Sequence, residues 1–553
     1  MCGIFGMCAQ RNVAPTLVDG LGRLEYRGYD SCGVVVLSDD GSLSMRKGAG
    51  EVARVAADER FAELHGNSGI AHTRWATHGR VSRQNSHPHF SPSGEVAIVH
   101  NGIIDNYEEL RRHLEAKGHD FKSQTDSEVV AHLIQVELAA APSVEEAIVR
   151  ALAQLDGTYA LGVICTRTPG VLYAARSESP LILGIGDDFR CFASDPLAFS
   201  PLSSEVVFLE DGEMVIVDAE GYRIRRLDSS KEIRRPSVRI ELDADAVDLG
   251  AHPDYMSKEI AENSVVTRTA LDIPGEKIDA IVDAIRATTT TYLTGMGTAY
   301  YVALMAQYIF SRYGGRFLPV VTADELPYLV KFSPSDHIIA VSQSGETYDT
   351  LRALRLAHRA GATTSAVLNV PTSSMAREVD RHIHQQAGPE ICVLSTKATI
   401  SQLVILTRVA LRLGEREGTL APEVVQSCQD ELRRLPALFD RLWGRSHDPV
   451  KDLARRFSVI RNWFFLGRGI YYGLAMEGAL KFKEVTYCHA EGMPAGFLKH
   501  GTISLVDESM HTVLFVPTRE DEELRSQTMG AAEEINARRG PILAFQPEGG
   551  NHA

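Results

Sequence analysis

Ile338-Ile339-Ala340-Val341-Ser342-Gln343-Ser344-Gly345-Glu346-Thr347 decides the fold of the second half of this chain. The β-rich apolar run at its start reads as a buried strand. The hydroxyl- and glycine-rich residues after it read as a loop that opens a helix, with Leu351, Leu354 and His358 on one face. Strand, loop and helix in succession are the unit of a parallel α/β sheet. Small hydroxyls and a glycine at a helix N-terminus suit an anion, because backbone N–H groups point outward and the helix dipole favours negative charge. The loop lacks the Gly-Lys-Ser/Thr ending of a P-loop, so a monophosphate fits better than a nucleotide. The plain alternative is N-capping, but three hydroxyls exceed what one cap needs.

The pattern recurs along the chain. Leu293-Thr294-Gly295-Met296-Gly297 precedes an apolar helix with Tyr300 and Ala303, and Phe465-Leu466-Gly467-Arg468-Gly469 precedes one with Tyr472 and Ala475. The strand at 338–341 has its counterpart in Val513-Leu514-Phe515-Val516, and the following helices end near Gly361 and Gly540. We read two copies of one α/β domain. Only the first has the hydroxyl loop; the second has Pro517-Thr518-Arg519-Glu520 there. The first copy continues past Ala366-Val367-Leu368 into an expected strand, Ile391-Cys392-Val393-Leu394, and a helix around Leu403 to Leu411. The second stops soon after Ile542-Leu543-Ala544-Phe545.

The first half, to about Arg235, reads differently. Gly33-Val34-Val35-Val36-Leu37 is an expected buried strand, and Leu17, Leu21 and Leu24 are spaced for one helix face. Thr125 and Glu128 have capping-box spacing ahead of a helix through Val129, Leu133 and Val136. Strands and helices do not alternate regularly, which argues against a doubly wound sheet. The polar stretch from Leu227 to Asp254 reads as a linker or an edge hairpin. Overall, 553 residues suggest about three or four domains, and 44% apolar with 23% charged residues is ordinary globular composition. A formal charge of −15 disfavours nucleic acid as a partner. No apolar run reaches the roughly 18 residues needed for a membrane span, and the N-terminus lacks the pattern of a secretory signal. Eight scattered cysteines without a Cys-x-x-Cys pair indicate neither a disulfide framework nor a zinc site, so a cytoplasmic location is expected.

Cys2 carries the chemistry of the first half. Removal of Met1 would leave one residue holding both a thiol and an α-amine that titrates near 8, which suits a general base. Alone this is a weak signal. Its neighbours are more specific: Cys2-Gly3-Ile4-Phe5-Gly6, Leu24-Glu25-Tyr26-Arg27-Gly28-Tyr29-Asp30-Ser31, His72-Thr73-Arg74-Trp75-Ala76-Thr77-His78-Gly79, His100-Asn101-Gly102-Ile103-Ile104 and Thr125-Asp126. Together they resemble the class II, N-terminal-nucleophile glutamine amidotransferases. From Cys2 to about Phe545 the chain resembles the isomerising glutamine–fructose-6-phosphate aminotransferase (glucosamine-6-phosphate synthase) family.

That resemblance implies an α+β (αββα) glutaminase domain at 2–235, a linker at 236–270, and two sugar isomerase (SIS) domains with parallel sheets at 271–435 and 450–553, the second partial. It implies Cys2 as nucleophile, with an oxyanion hole from the Asn101 side chain and the Gly102 N–H; Asn-Gly is also a strong hairpin-turn dipeptide. It implies Arg74 on the α-carboxylate of glutamine and Asp126 on its α-ammonium. The plain readings there are a surface ion pair and a first-turn helix charge. Trp75, Thr77 and His78 are implied around the same substrate, with Trp75 a gate for ammonia or else a core aromatic. Arg27 is implied as a structural support. His72, His78 and His87 shape the pocket without a catalytic role.

For the sugar phosphate, the resemblance implies Ser342, Gln343, Ser344 and Thr347 on the phosphate, with Thr298, Ser395 and Glu477 nearby. Glu477, Lys481 and Glu484 share one helix face by spacing, which alone reads as a solvated ladder. By resemblance Glu484 moves the proton between C1 and C2, Lys481 and Glu477 position the sugar, and His500 reaches across a homodimer to open the ring. A lone satisfied histidine is the alternative for His500. No metal and no cofactor are implied, because an amide and a ketose supply all the groups.

Three departures stand out. Ala299 replaces a usual serine, and Phe497 an acidic residue. The chain ends at Gly549-Gly550-Asn551-His552-Ala553 without the family's C-terminal tail and its Schiff-base lysine. The full synthase reaction is therefore expected alongside two alternatives. One is a glutaminase-bearing sugar-phosphate-binding or regulatory protein impaired in transfer. The other is an amidotransferase acting on another sugar phosphate.

Overall fold

The structure, a computed structural model, describes residues 2–229, 231–240 and 249–547. The chain forms two compact units, Met1–Asp248 and Leu249–Ala553.

The first unit is built from the period-two alternation of its strands. In Gly3–Ala9, Ile4 and Cys8 point into one apolar layer, and Phe5 and Met7 into another. Ser31–Leu37 repeats this, with Val35 on the first side and Val34 and Val36 on the second. Gly3–Ala9 lies between Phe189–Ala193 and Ser68–Arg74 in an eight-stranded sheet, antiparallel to both. In a seven-stranded sheet, Gly157–Cys165 pairs antiparallel with Val96–Ile104 and Leu172–Ser177. The layer holding Ile4 also holds Val99, Ala160 and Val215 of this second sheet, so the sheets pack face to face. Helix Ala14–Leu24 covers the outer face of the first sheet through Leu17, Leu21 and Leu24. Helices Glu128–Leu138 and Val144–Leu152 cover the other sheet through Val129, Leu133, Ala147 and Ile148. Helix, sheet, sheet and helix are the αββα layers expected.

One local expectation is corrected here, and another is met in part. Thr125 and Glu128 do not form a capping box. The helix starts at Glu128 after Ser127, and the Glu128 carboxylate accepts the N–H groups of Lys122 (2.8 Å) and Ser123 (2.6 Å), while Thr125 Oγ1 meets His89 Nε2 (3.1 Å). The loop before the helix has taken both side chains. The 227–254 stretch is partly edge structure: Glu232–Ile233 pairs with Tyr222–Arg226, and Val238–Arg239 with Glu205–Phe208.

The second unit contains two parallel sheets. The first has Thr290–Gly295 between Val320–Thr322 and Asp336–Ser342, followed outward by Thr363–Leu368 and Arg381–His384. The second has Asn462–Gly467 between His489–Pro494 and His511–Phe515, then Ile542–Phe545. Thr290–Gly295 and Asn462–Gly467 are thus equivalent, as the repeat implied. Helix Pro422–Phe457 runs through the expected end of the first copy and the start of the second.

The outer strand of the first sheet is Arg381–His384; Ile391–Leu394 is not a strand. The N–H groups of Ile391 and Cys392 donate instead to Glu259 Oε1 (2.6 and 2.8 Å). A carboxylate has taken the place of a neighbouring strand. Glu259 lies in helix Tyr255–Ala261, inside the stretch expected as linker. Helix Asn263–Asp272 follows and packs against Lys397–Glu417 and Pro422–Phe457. Residues 255–270 are therefore part of the second unit. Among the described residues, no helix is long and apolar enough to cross a membrane.

Candidate active site

Cys2 sits at the head of the central strand, and that strand is anchored first by backbone. Ile4 N–H donates to Ser194 Oγ (3.0 Å), and Ser194 N–H donates back to Ile4 O (3.0 Å). The next residue, Asp195, accepts from Arg27 Nη2 (2.6 Å) and Tyr26 OH (2.7 Å). The Arg27 side chain is 5% exposed and that of Asp195 16%. Arg27 is therefore the support expected, and Asp195 is its partner. Asp195→Ala would strand a buried guanidinium, at a cost of about 3 kcal/mol in unfolding free energy. Urea denaturation measures it, and a loss below about 1 kcal/mol would return the pair to ordinary surface status.

The Trp75 N–H donates to Cys2 Sγ (3.2 Å). Burial pushes the Cys2 thiol up, against this hydrogen bond and the charge of Arg74. The resting group is thus a thiol, and its proton must go to a base. Asn101 Nδ2 donates to Cys2 O (3.0 Å), so the amide lies beside the nucleophile. Gly102 has φ +128°, and a Cβ there would fall 2.0 Å from Thr158 O, so only glycine fits. Asn101-Gly102 is not a hairpin turn. Both residues lie within Val96–Ile104, opposite Ala160 and Tyr159.

Asp126 is buried, with Oδ2 accepting the Ile104 N–H (2.9 Å) and Oδ1 the Ser127 hydroxyl (3.4 Å). Arg74 is buried as well. Its guanidinium donates to His78 O, Gly79 O (3.2 Å) and Arg80 O (3.5 Å), holding the turn after Trp75. Burial lowers the Arg74 pKa, and the charges of Cys2, Asp126 and Asp30 oppose that. Trp75 is 38% exposed and its ring stands edge-on to Tyr29 at 5.3 Å, so it is not a core aromatic. Thr77 is exposed, and His78 Nδ1 lies 3.3 Å from its hydroxyl.

In the second unit, the hydroxyl loop leads from Asp336–Ser342 into helix Tyr348–Arg359. Ser342 Oγ accepts the Gly345 N–H (2.9 Å), and Ser344 Oγ the Glu346 N–H (3.2 Å). Gly345 has φ +66°, and a Cβ there would strike Ser373 Oγ at 2.1 Å. The loop is braced from behind: Met375 N–H donates to Gly345 O (3.0 Å), Ser374 N–H to Glu346 Oε1 (2.7 Å), and Asn369 N–H to Gln343 O (3.1 Å). Thr347 is the N-cap residue of the helix, yet its side chain makes no capping bond. The plain N-cap reading therefore fails for it.

Thr298 Oγ1 donates to Glu477 Oε1 (3.1 Å), joining the two SIS copies. Lys481 Nζ lies 2.8 Å from Glu484 Oε2 and 3.5 Å from Glu477 Oε1. Glu477 is buried, which raises its pKa, while the Glu484 side chain is 33% exposed. The ladder reading thus holds for the pairing, but not for the burial of its inner end. Ser395 donates to Glu390 Oε2 (3.1 Å) and also receives the Thr399 hydroxyl (3.3 Å). Glu390 accepts the N–H groups of Thr396 and Ala398, and burial pushes it up to about 7. His500 stands on an exposed turn, and no hydrogen bond joins its side chain to the Lys481 group among the described residues.

Sequence reasoning missed Asp195, Glu259 and Glu390. Asp195 lies 168 residues from Arg27 and Glu259 lies 137 from Thr396, too far apart for spacing to reveal. Glu390 is close to Ser395, but its bonds run to Ser395, Thr396 and Ala398, just past the segment expected as a strand, and no spacing pattern marks them.

The geometry can be set beside known proteins. The glutamine amidotransferase domain family matches residues 72–201, and the SIS domain family matches 284–412 and 457–551. The chain is 38% identical over 547 residues to the isomerising glutamine–fructose-6-phosphate aminotransferase of Thermococcus kodakarensis, covering 99% of this chain and 90% of the relative. It is 40% identical over 558 residues to the protein of the same name from Pseudomonas putida, with the same two shares. Among solved structures, the C-terminal domain of glucosamine-fructose-6-phosphate aminotransferase from Francisella tularensis matches with a TM-score of 0.50 and 33% identity. That match covers 54% of this chain and 85% of the other.

Proposed function

The chain belongs to the family of isomerising glutamine–fructose-6-phosphate aminotransferases, and from that membership we infer that it moves the amide nitrogen of glutamine to fructose 6-phosphate, giving glutamate and glucosamine 6-phosphate. The observation that carries the first half-reaction is Asn101 and Trp75 meeting at Cys2.

Removal of Met1 frees the α-amine of Cys2, which takes the thiol proton as Sγ attacks the amide carbon of glutamine. The new oxyanion is held by the Asn101 Nδ2–H and the Gly102 N–H. Collapse expels ammonia, with the amine returning its proton, and leaves a thioester that water hydrolyses to glutamate. Asp126 receives the α-ammonium. Arg74 receives the α-carboxylate through N–H groups not used on the 78–80 turn, since three of its five are engaged there. Trp75, whose main chain meets Cys2, is the residue nearest the reacting centre that can screen it from water, with Thr77 and His78 following it.

Ammonia then adds to C2 of the open-chain ketose, and water leaves. Glu484 removes a proton from C1 and returns it to C2, turning the ketose imine into the aldose amino sugar. Lys481, held by Glu484 and Glu477, carries the compensating charge. The braced loop of Ser342, Gln343, Ser344 and Thr347 takes the phosphate; the uncommitted Thr347 side chain at the helix start is what favours an anion there. Thr298, its hydroxyl hydrogen already given to Glu477, meets the sugar as an acceptor. Ser395, likewise donating to Glu390, meets the sugar as an acceptor. His500, exposed on its turn, serves the sugar of a partner subunit in a homodimer.

The test is direct. Purified protein with glutamine and fructose 6-phosphate should yield glutamate and glucosamine 6-phosphate together. Glutamate without amino sugar at saturating fructose 6-phosphate would remove the transfer step. Ser344→Ala should weaken fructose 6-phosphate binding about 10-fold, the scale of one hydrogen bond to a charged group, with glutamate release unchanged. Unaltered affinity by calorimetry would move the phosphate elsewhere.

A further inference from the structure

One buried histidine beside the nucleophile has no role in the reaction just described. His72 lies in Ser68–Arg74, fully buried, opposite Ile4 on one side and Gly33 on the other. Its Nε2 is 3.0 Å from His100 O and 3.0 Å from Asn101 Oδ1. Both neighbours can only accept, so Nε2 carries the hydrogen and donates to both. Nδ1 is buried with no partner among the described residues, which makes it the bare nitrogen of a neutral ring. Burial holds the His72 pKa down to about 3, so the ring stays neutral across the working range.

The ring is fixed in its plane. His87 stacks on it at 4.2 Å with planes 15° apart, and His87 Nδ1 accepts the His100 N–H (3.2 Å). His100, in turn, meets Ser127 Oγ through Nδ1 (2.8 Å). The stack on His87 and the bonds through His100 thus hold the His72 ring from one side.

The consequence falls on Asn101. Its amide has two orientations of nearly equal shape. In one, Oδ1 faces the His72 N–H and Nδ2 faces Cys2 O. In the other, two donors meet at His72 and two acceptors meet at Cys2 O, which is strongly disfavoured at the fully buried His72 end. Only the first aims an N–H at the reacting carbonyl.

We infer that His72 is a positioning residue that fixes the Asn101 amide with its N–H groups toward Cys2, so that the oxyanion hole is formed before glutamine arrives. The inference rests on the glutaminase reading above and deepens it. Its general basis is that an oxyanion donor is effective only when already aimed.

Gln places an amide nitrogen where Nε2 of histidine sits; Asn reaches only the Nδ1 position; Leu supplies neither. His72→Leu and His72→Asn should each lower kcat for glutamate release about 30-fold, less than the roughly 10²–10³ for deleting an oxyanion donor, because the Asn101 amide is misaimed and not removed. KM for glutamine should stay within about 2-fold, because the ground-state amide needs the donor little. His72→Gln should recover most of the rate. The γ-aldehyde analogue of glutamine, which adds to Cys2 as a hemithioacetal bearing the same oxyanion, should bind the Leu and Asn variants about 30-fold more weakly. Glutamate affinity and the rate of Cys2 alkylation by iodoacetamide should not change, which also reports that the variants are folded. Equal rates for the Gln and Asn variants, or a matching fall in glutamate affinity, would overturn the inference. Loss of glutamate release in the unmodified enzyme would instead sink the parent reading.

Discussion

Cys2→Ala should lower glutamate release by about 10⁴-fold or more, since the remaining oxyanion hole has no covalent step to assist. The residue's surroundings set this expectation. Burial raises the thiol, so only a group placed to take its proton makes it reactive at neutral pH. Alanine keeps the α-amine but leaves it nothing to activate. Fructose 6-phosphate binding should be unaffected, because the hydroxyl loop and the Lys481 group, proposed to hold the sugar, belong to the other unit. Chromatographic assay of glutamate measures the loss. Residual release within 10-fold of the unmodified enzyme would show that another nucleophile operates.

The second large effect concerns Glu484→Gln. Proton transfer by a positioned carboxylate contributes about 10²–10⁴ in rate, and amino-sugar formation should fall about 1,000-fold. Glutamine has nearly the same shape and can still touch Lys481. Lys481 also keeps its contact with the buried Glu477, so the helix face should survive the change. Glutamate release in the presence of fructose 6-phosphate should continue, and the two half-reactions would become uncoupled. A parallel fall in both products would show that Glu484 is structural.

The extent to which this was legible in the sequence depended on the range of the interaction. Local period and local loop chemistry transferred well. Val34, Val35 and Val36 alternate between the layers as a strand should, and Leu17, Leu21 and Leu24 bury one helix face. The hydroxyl loop stands between strand and helix where its residues implied. What failed was local pattern overridden by a distant side chain. Ile391–Leu394 has strand composition, yet its N–H groups are taken by Glu259, 132 and 133 residues away. Thr125 and Glu128 have capping spacing, yet His89 and the backbone of 122–123 hold them. Asn101-Gly102 has turn composition, yet long pairing with 157–165 keeps it in a strand. Each error arose where a partner outside the local pattern, remote in sequence for Ile391, Cys392, Thr125 and Asn101-Gly102, offered a better bond than the neighbour that the pattern favours.

The Glu259 carboxylate bears on how the protein may be divided for study. An excised sugar-side fragment beginning at 271 would discard the acceptor of the Ile391 and Cys392 N–H groups and of the Thr396 hydroxyl. The segment that carries Ser395 would then lose its outer clamp, and weak fructose 6-phosphate binding by such a piece would reflect the cut, not the enzyme. A fragment beginning at Leu249 retains the clamp and is the fairer piece to crystallise or titrate.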